Sequence, residues 1–124
     1  MRPLREGCPA EITLRVVGGT WKVPILYHLR ASTLRFSELR RVLAGVSQKV
    51  LTQQLRELEA DGVVSRRVFA QVPPRVEYSL TPLGRSLEPV VLAMVQWGKS
   101  NAGRFGAREA ATGLRKLQAS QEVQ

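Results

Sequence analysis

The segment 47–67, SQKVLTQQLRELEADGVVSRR, carries Gln48, Lys49, Thr52, Gln53 and Arg56 at helical spacing. At ~100° per residue, a helix gathers these five onto an arc of about 140° and sets Val50, Leu51, Leu55 and Leu58 on the opposite side. Gln, Thr and Arg side chains hydrogen-bond to base edges in a DNA major groove, while Lys and Arg pair with phosphate. Glu57, Glu59 and Asp61 fall toward the C-terminal end or the flanks, so the first two turns carry little negative charge. A solvated helix face has the same pattern, and this helix alone does not separate the two readings.

More cationic residues follow. Arg66, Arg67 and Arg75 flank VFAQVPP, and the residues around them alternate: Val64, Arg66 and Val68 against Ser65, Arg67 and Phe69, then Val76, Tyr78 and Leu80 against Glu77 and Ser79. Alternation, a proline-stiffened break and renewed alternation predict a β-hairpin. A basic hairpin can lie along a phosphate backbone or in a minor groove.

The chain has one cysteine, Cys8, which excludes a disulfide within it and fits a reducing compartment. A helix N-terminus stabilises a thiolate, Arg5 adds to that effect and Glu11 opposes it. A small residue that merely caps a helix is the plainer reading. His28 is the single histidine and has no neighbouring ligand set, so no metal and no cofactor is expected. No Ser–His–acid set, apolar carboxylate pair or phosphate-binding glycine loop can be assembled, and Gly18-Gly19 reads as a helix stop. Trp21, Tyr27, Phe36, Met94 and Trp97 could line a small-molecule pocket, but core packing accounts for them more simply.

The elements that must position these residues can be placed from capping signals. CPAEITLRVVGG predicts a first helix with Cys8 as N-cap, Pro9 at the first position and Glu11 at the third. TWKVPILYHLRAS predicts a second helix, with Pro24 in its first turn. Leu34 to Phe36 forms a short strand, and Ser37 caps a third helix that ends at Gly45. Ser47 caps the fourth, and Asp61-Gly62 closes it with a left-handed glycine. TPLGRSLEPVVLAMVQWGKS predicts one long final helix, capped by Thr81, started by Pro82 and kinked at Pro89. The expected organisation is an N-terminal arm over 1–7, a winged helix-turn-helix over 8–99 and a polar tail over 100–124, weakly helical over 107–119. The fold class is mainly α with a small β-hairpin.

The 124 residues suit one domain. Nineteen Lys and Arg against ten Asp and Glu give a formal net charge of +9, which attracts polyanions, nucleic acid before an anionic membrane. No apolar run approaches the ~20 residues of a membrane span. The start, MRPLREGCPA, lacks the apolar core of a secretory signal, so a cytoplasmic location is expected.

A short helix, a tight glycine-containing connection, a second capped helix and a basic hairpin, in that order, make a winged helix. The stretches CPAEITLRVVGGTWKVPILYHL, RFSELRRVLAGVSQKVLTQQLRELEADGVVSR and VPPRVEYSLTPLGRSLEPVVLAMVQWG resemble the HxlR-type bacterial transcription regulators, a group related to the MarR-type proteins. The resemblance covers about Cys8 to Gly98. Thr20 stands where family members often carry Lys, and Pro24 is unusual in that helix. The resemblance implies a homodimeric, sequence-specific regulator of transcription that binds double-stranded DNA and has no catalytic activity. It also implies an oxidant or electrophile as a candidate effector at Cys8.

The candidate DNA contacts are therefore Arg35, Ser37, Ser47, Gln48, Lys49, Thr52, Gln53, Arg56, Arg66, Arg67 and Arg75. The candidate dimer interface is Leu4, Ile12 and Val16 with Val91, Met94, Val95 and Trp97, apolar residues that one small domain does not cover. Two other functions fit the same scaffold: a protein–protein adaptor and a binder of RNA. An adaptor would carry acidic or apolar residues on the fourth helix, and an RNA binder would expose aromatics for stacking.

Overall fold

The computed structural model describes residues 7–105. Its elements are α1 (Ala10–Val17), α2 (Lys22–Leu29), β1 (Leu34–Arg35), α3 (Phe36–Val42), α4 (Gln48–Ala60), β2 (Val64–Phe69), β3 (Arg75–Leu80), α5 (Pro82–Ser86) and α6 (Glu88–Phe105). The three strands form one antiparallel sheet in the order β1-β3-β2, so the mainly helical winged arrangement is the one the sequence predicts. Among the described residues, no helix is long and apolar enough to cross a membrane.

The helix boundaries follow local chemistry. Ser47 Oγ accepts from the Val50 N–H at 3.1 Å and fixes the start of α4; an N-cap bond of this kind contributes about 1 kcal/mol. At the other end, Gly62 takes φ 77°. The Val63 N–H then reaches the Leu58 carbonyl at 3.1 Å, and the Gly62 N–H reaches that of Glu59 at 3.0 Å. That pair of bonds is a Schellman closure, and it turns the chain directly into β2. The short connection between α3 and α4 turns at Gly45, with φ 96°.

Several boundaries differ from the sequence expectation: Phe36, expected to close the short strand, opens α3, and α3 ends at Val42, ahead of Gly45. Pro9, not Cys8, is the N-cap of α1, and no side chain caps that helix. Arg35, not Ser37, precedes α3; its N–H donates to Glu38 Oε1 at 2.7 Å, the reach-back of an acidic residue at the third helical position. The last helix is broken rather than kinked. Leu87 separates α5 from α6, because Pro89 has no N–H to continue the ladder to Arg85. Beyond the break α6 runs through Gly98 to Phe105. The expected weak helix over 107–119 lies outside the described residues.

The core is the common inner side of α2, α3, α4, the sheet and α6. Ile25, Leu29, Leu39, Leu51, Leu55 and Leu58 are at most 1% exposed. Val91 and Val95, expected in a dimer interface, belong to this core instead. They stand one turn apart on the face of α6 that packs against α2 and are spent within the protomer. Ile12, Met94 and Trp97 do remain exposed, together with Leu14, Leu92 and Phe105, while Val16 packs partly against the core. Leu4 lies outside the described residues. Tyr27 is buried whereas Met94 and Trp97 face outward, so the five residues considered for a small-molecule pocket do not share one environment.

Gly84 is the tightest joint. A Cβ built there would lie 2.0 Å from the Val63 carbonyl oxygen, which is backbone and cannot swing away. Gly84→Ala is expected to destabilise the fold by about 1–3 kcal/mol through overpacking, read as a lower urea midpoint at unchanged m-value.

Candidate nucleic-acid interface

The buried ridge Leu51, Leu55 and Leu58 points α4 inward and leaves its opposite side to solvent. Gln48, Lys49, Gln53 and Arg56 are exposed and Thr52 is half-buried. Thr52 Oγ1 donates to the Gln48 carbonyl at 2.8 Å, so its proton is committed to the helix. Gln53 Nε2 lies 3.4 Å from Glu57 Oε2, a weak bond between residues one turn apart. An open concavity borders this face and is lined by all five residues with Glu57 and Ala60. Ser47 is the cap described above. Ser37 sits in the first turn of α3, in a groove shared with Phe36, Arg40, Arg41 and Gln48. Arg40 and Arg41 are exposed there and are not among the residues that the sequence singled out.

Glu57 is tied to the scaffold by a residue that the sequence did not single out. Lys22 Nζ, 7% exposed as a residue, meets Glu57 Oε1 at 2.6 Å. That hydrogen bond holds the Glu57 carboxyl below its ordinary 4.5; partial burial opposes the shift, and the Lys22 charge and the Gln53 amide add to it. The two residues are 35 positions apart, so no local pattern announces the pair.

The hairpin arginines do not form one surface. Successive strand residues point to opposite faces. Arg66 shares the inner face with Val64 and lies 3.8 Å from Glu59 of α4. Arg67 and Arg75 occupy the outer face, where both guanidinium groups lie over the Phe69 ring, at 4.6 and 4.0 Å. Arg75 also approaches Glu77 at 3.3 Å, as an ion pair rather than an aligned hydrogen bond. In the strand register Glu77 stands opposite Arg67 on one side and Arg35 on the other. Tyr78 is buried on the inner face; burial, with Glu59, pushes its hydroxyl above the ordinary 10, against the pull of Arg66 and Arg56.

A capped α3, a turn at Gly45, a capped α4 with a polar outer face and an attached hairpin constitute a helix-turn-helix with a wing. The sequence model of HxlR-like helix-turn-helix proteins matches residues 16–105. The chain belongs to the HxlR-like helix-turn-helix family. Among curated relatives, the HTH-type transcriptional regulator YybR of Bacillus subtilis strain 168 is 58% identical over 99 residues, 80% of this chain and 79% of that protein. Among solved structures, the redox regulator HypR in its oxidised form aligns with a TM-score of 0.73 at 57% identity, covering 76% of this chain and 97% of that one. The reduced form of the transcriptional regulator YodB from B. subtilis aligns at 0.65 and 32% identity, covering 77% and 93%. This HxlR-type protein is a transcriptional regulator with a helix-turn-helix fold.

Cys8 is exposed in this regulator, one residue before the cap of α1. The Lys22–Glu57 pair makes the clearest pH prediction. A carboxyl whose value is depressed by folding contributes stability above its unfolded value and loses it as pH falls through the folded one. Wild type should therefore lose this contribution on acidification below about pH 4.5, and Lys22→Met should lose correspondingly less over the same range. Urea midpoints from pH 7 to pH 3 measure the difference; parallel curves for the two proteins would contradict it.

Proposed function

We propose that this HxlR-type regulator binds double-stranded DNA sequence-specifically as a homodimer, with α4 in the major groove and the β2–β3 hairpin as a wing on the backbone or minor groove. One observation carries the reading: the outer side of α4 is exposed, bears Lys49 and Arg56, and keeps its acidic residues to the C-terminal half or in ion pairs. The same surface gives little support to an adaptor, which would favour apolar or acidic side chains there. Stacking on single-stranded RNA is poorly served as well, since Tyr78 is buried and Phe69 is overlaid by two guanidinium groups. Ser47 contributes as a cap, and Arg35, Ser37, Arg66, Arg67 and Arg75 as contacts to phosphate. A cytoplasmic location goes with this reading.

Dimerisation is supported by exposed Ile12 and Leu14 on α1 and by Leu92, Met94, Trp97 and Phe105 on α6. Trp97 and Phe105 stack at 5.9 Å and 27°, one aromatic surface available to a second copy. Two-fold pairing would set the two copies of α4 about one DNA turn, ~34–36 Å, apart.

The deciding measurement is the affinity of Gln53→Ala for a cognate and a random duplex. Loss of about 1–3 kcal/mol on the cognate site alone is expected for a base contact, and equal loss on both duplexes would rule out base reading. Alanine at Arg67 should lower the slope of log affinity against log salt by about 0.9 if it removes one phosphate contact. Sedimentation should give a dimer at micromolar concentration, dissociated by Trp97→Asp; a monomeric wild type that still binds DNA at full strength would refute the pairing.

A second element of the reading is redox or electrophile sensing through Cys8. It is supported by the exposure of the thiol and by the 57% identity to a protein described as a redox regulator. Diamide or a quinone should shift the DNA affinity of wild type and leave Cys8→Ser unchanged; equal affinities for both proteins under oxidant would remove Cys8 as the switch.

A further inference from the structure

Lys22 sits behind the proposed reading face, at the start of α2, where a charged residue is otherwise costly to bury. Its ammonium takes Oε1 of Glu57, and the other carboxylate oxygen, Oε2, faces Nε2 of Gln53. A carboxylate can only accept hydrogen bonds. The Gln53 amide must therefore turn its NH2 group toward Glu57 and its carbonyl oxygen away. The neighbouring Thr52 hydroxyl spends its proton on the Gln48 carbonyl and offers only lone pairs outward. Gln53, at the edge of the face beside Glu57, thus presents its carbonyl oxygen together with its second amide hydrogen, while Lys49 and Arg56 carry the donors at the centre. In the major groove, adenine pairs an N6 donor with an N7 acceptor, cytosine shows a donor alone, and guanine and thymine show no amino donor.

We infer that Lys22 is a positioning residue for sequence recognition: through Glu57 it favours the orientation of the Gln53 amide that matches the N6 and N7 edge of adenine. The inference rests on the reading of α4 as the major-groove helix. Without Lys22, Glu57 is free to swing, and the amide loses its fixed direction. Nothing in this chain of bonds touches a phosphate, so Lys22 acts on discrimination at one base pair. Lys22→Arg preserves a cation at the same place, whereas Glu57→Gln replaces a pure acceptor with an amide that bonds to Gln53 in either orientation.

Selection of the full-length protein against a randomised duplex DNA library reads the preference at every position. Wild type, Lys22→Met, Lys22→Arg, Glu57→Gln and Gln53→Ala are compared, with thermal melting as the check on folding. Wild type should enrich an A·T pair at the position that Gln53→Ala flattens. Lys22→Met and Glu57→Gln should reduce discrimination at that same position by about five-fold or more and leave the other positions intact. Lys22→Arg should retain it. Glu57→Gln removes a negative charge from the face, so its binding to random DNA should hold or rise while its discrimination falls, a combination that mere loss of structure does not give. Retention of the wild-type preference by both Lys22→Met and Glu57→Gln overturns the inference and leaves base reading by Gln53 standing. If Lys22→Met melts below the assay temperature, Glu57→Gln decides alone. A G·C pair at the Gln53 position overturns the adenine match, and a Gln53→Ala variant that flattens no position removes both the reading and the inference.

Discussion

Leu51, Leu55 and Leu58 are at most 1% exposed, and the way they are buried governs the rest of the molecule. Truncating such a leucine typically costs about 2–5 kcal/mol, so α4 has one rotational setting about its own axis. With that setting fixed, the helical period decides which side chains face outward, and no further device is needed to present Gln48, Lys49 and Gln53. Ser47 and Gly62 then fix where the helix starts and stops. Since Val63 and Val64 follow at once and are buried, the position of α4 also determines where the hairpin leaves the core. A shift of α4 by one residue would rotate leucines into solvent and carry the hairpin with it.

Polar bonds refine what the leucines place. Glu57 lies on the border between the buried and exposed sides and is anchored by Lys22 of α2, with a weaker bond from Gln53 of its own helix. On the sheet, Glu77 plays a comparable part for Arg75. In both places one carboxylate organises cationic or amide groups that would otherwise be long, mobile side chains. Surface ion pairs of this sort add little to stability, and their effect is geometric. The excess positive charge is thereby held in a few directions instead of being spread over the surface.

The sequence shows most of this because its strongest signals are local. Period 3.6 in 47–60, period 2 in 64–69 and 75–80, the Ser47 and Thr81 caps and the stops at Gly18 and Gly62 all act within a few residues, and each is found in place. What it hides is non-local. Val91 and Val95 look as available as Met94 and Trp97 until α2 is laid beside α6. Arg66 and Arg67 look like one patch until the strand sends them to opposite faces. Lys22 resembles any polar residue opening a helix, and only the approach of α2 to α4 gives it a partner. The misplaced caps at Cys8 and Ser37 have a different cause: either neighbour was chemically eligible, and Pro9 and Arg35 with Glu38 took the roles.

Thr81 makes two bonds that together have a mechanical meaning. Its hydroxyl donates to the Gly62 carbonyl at 2.6 Å and accepts from the Gly84 N–H at 3.0 Å. The end of α4, the end of β3 and the start of α5 are therefore clamped in one block, and Gly84 is seated against Val63 with no room to slide. The first break in the helical ladder beyond that block is at Leu87, where α6 begins. Val91 and Val95 then seat the first turns of the 18-residue α6 against α2, so the block extends across the break and only the outer end of the helix, toward Phe105, projects from the core.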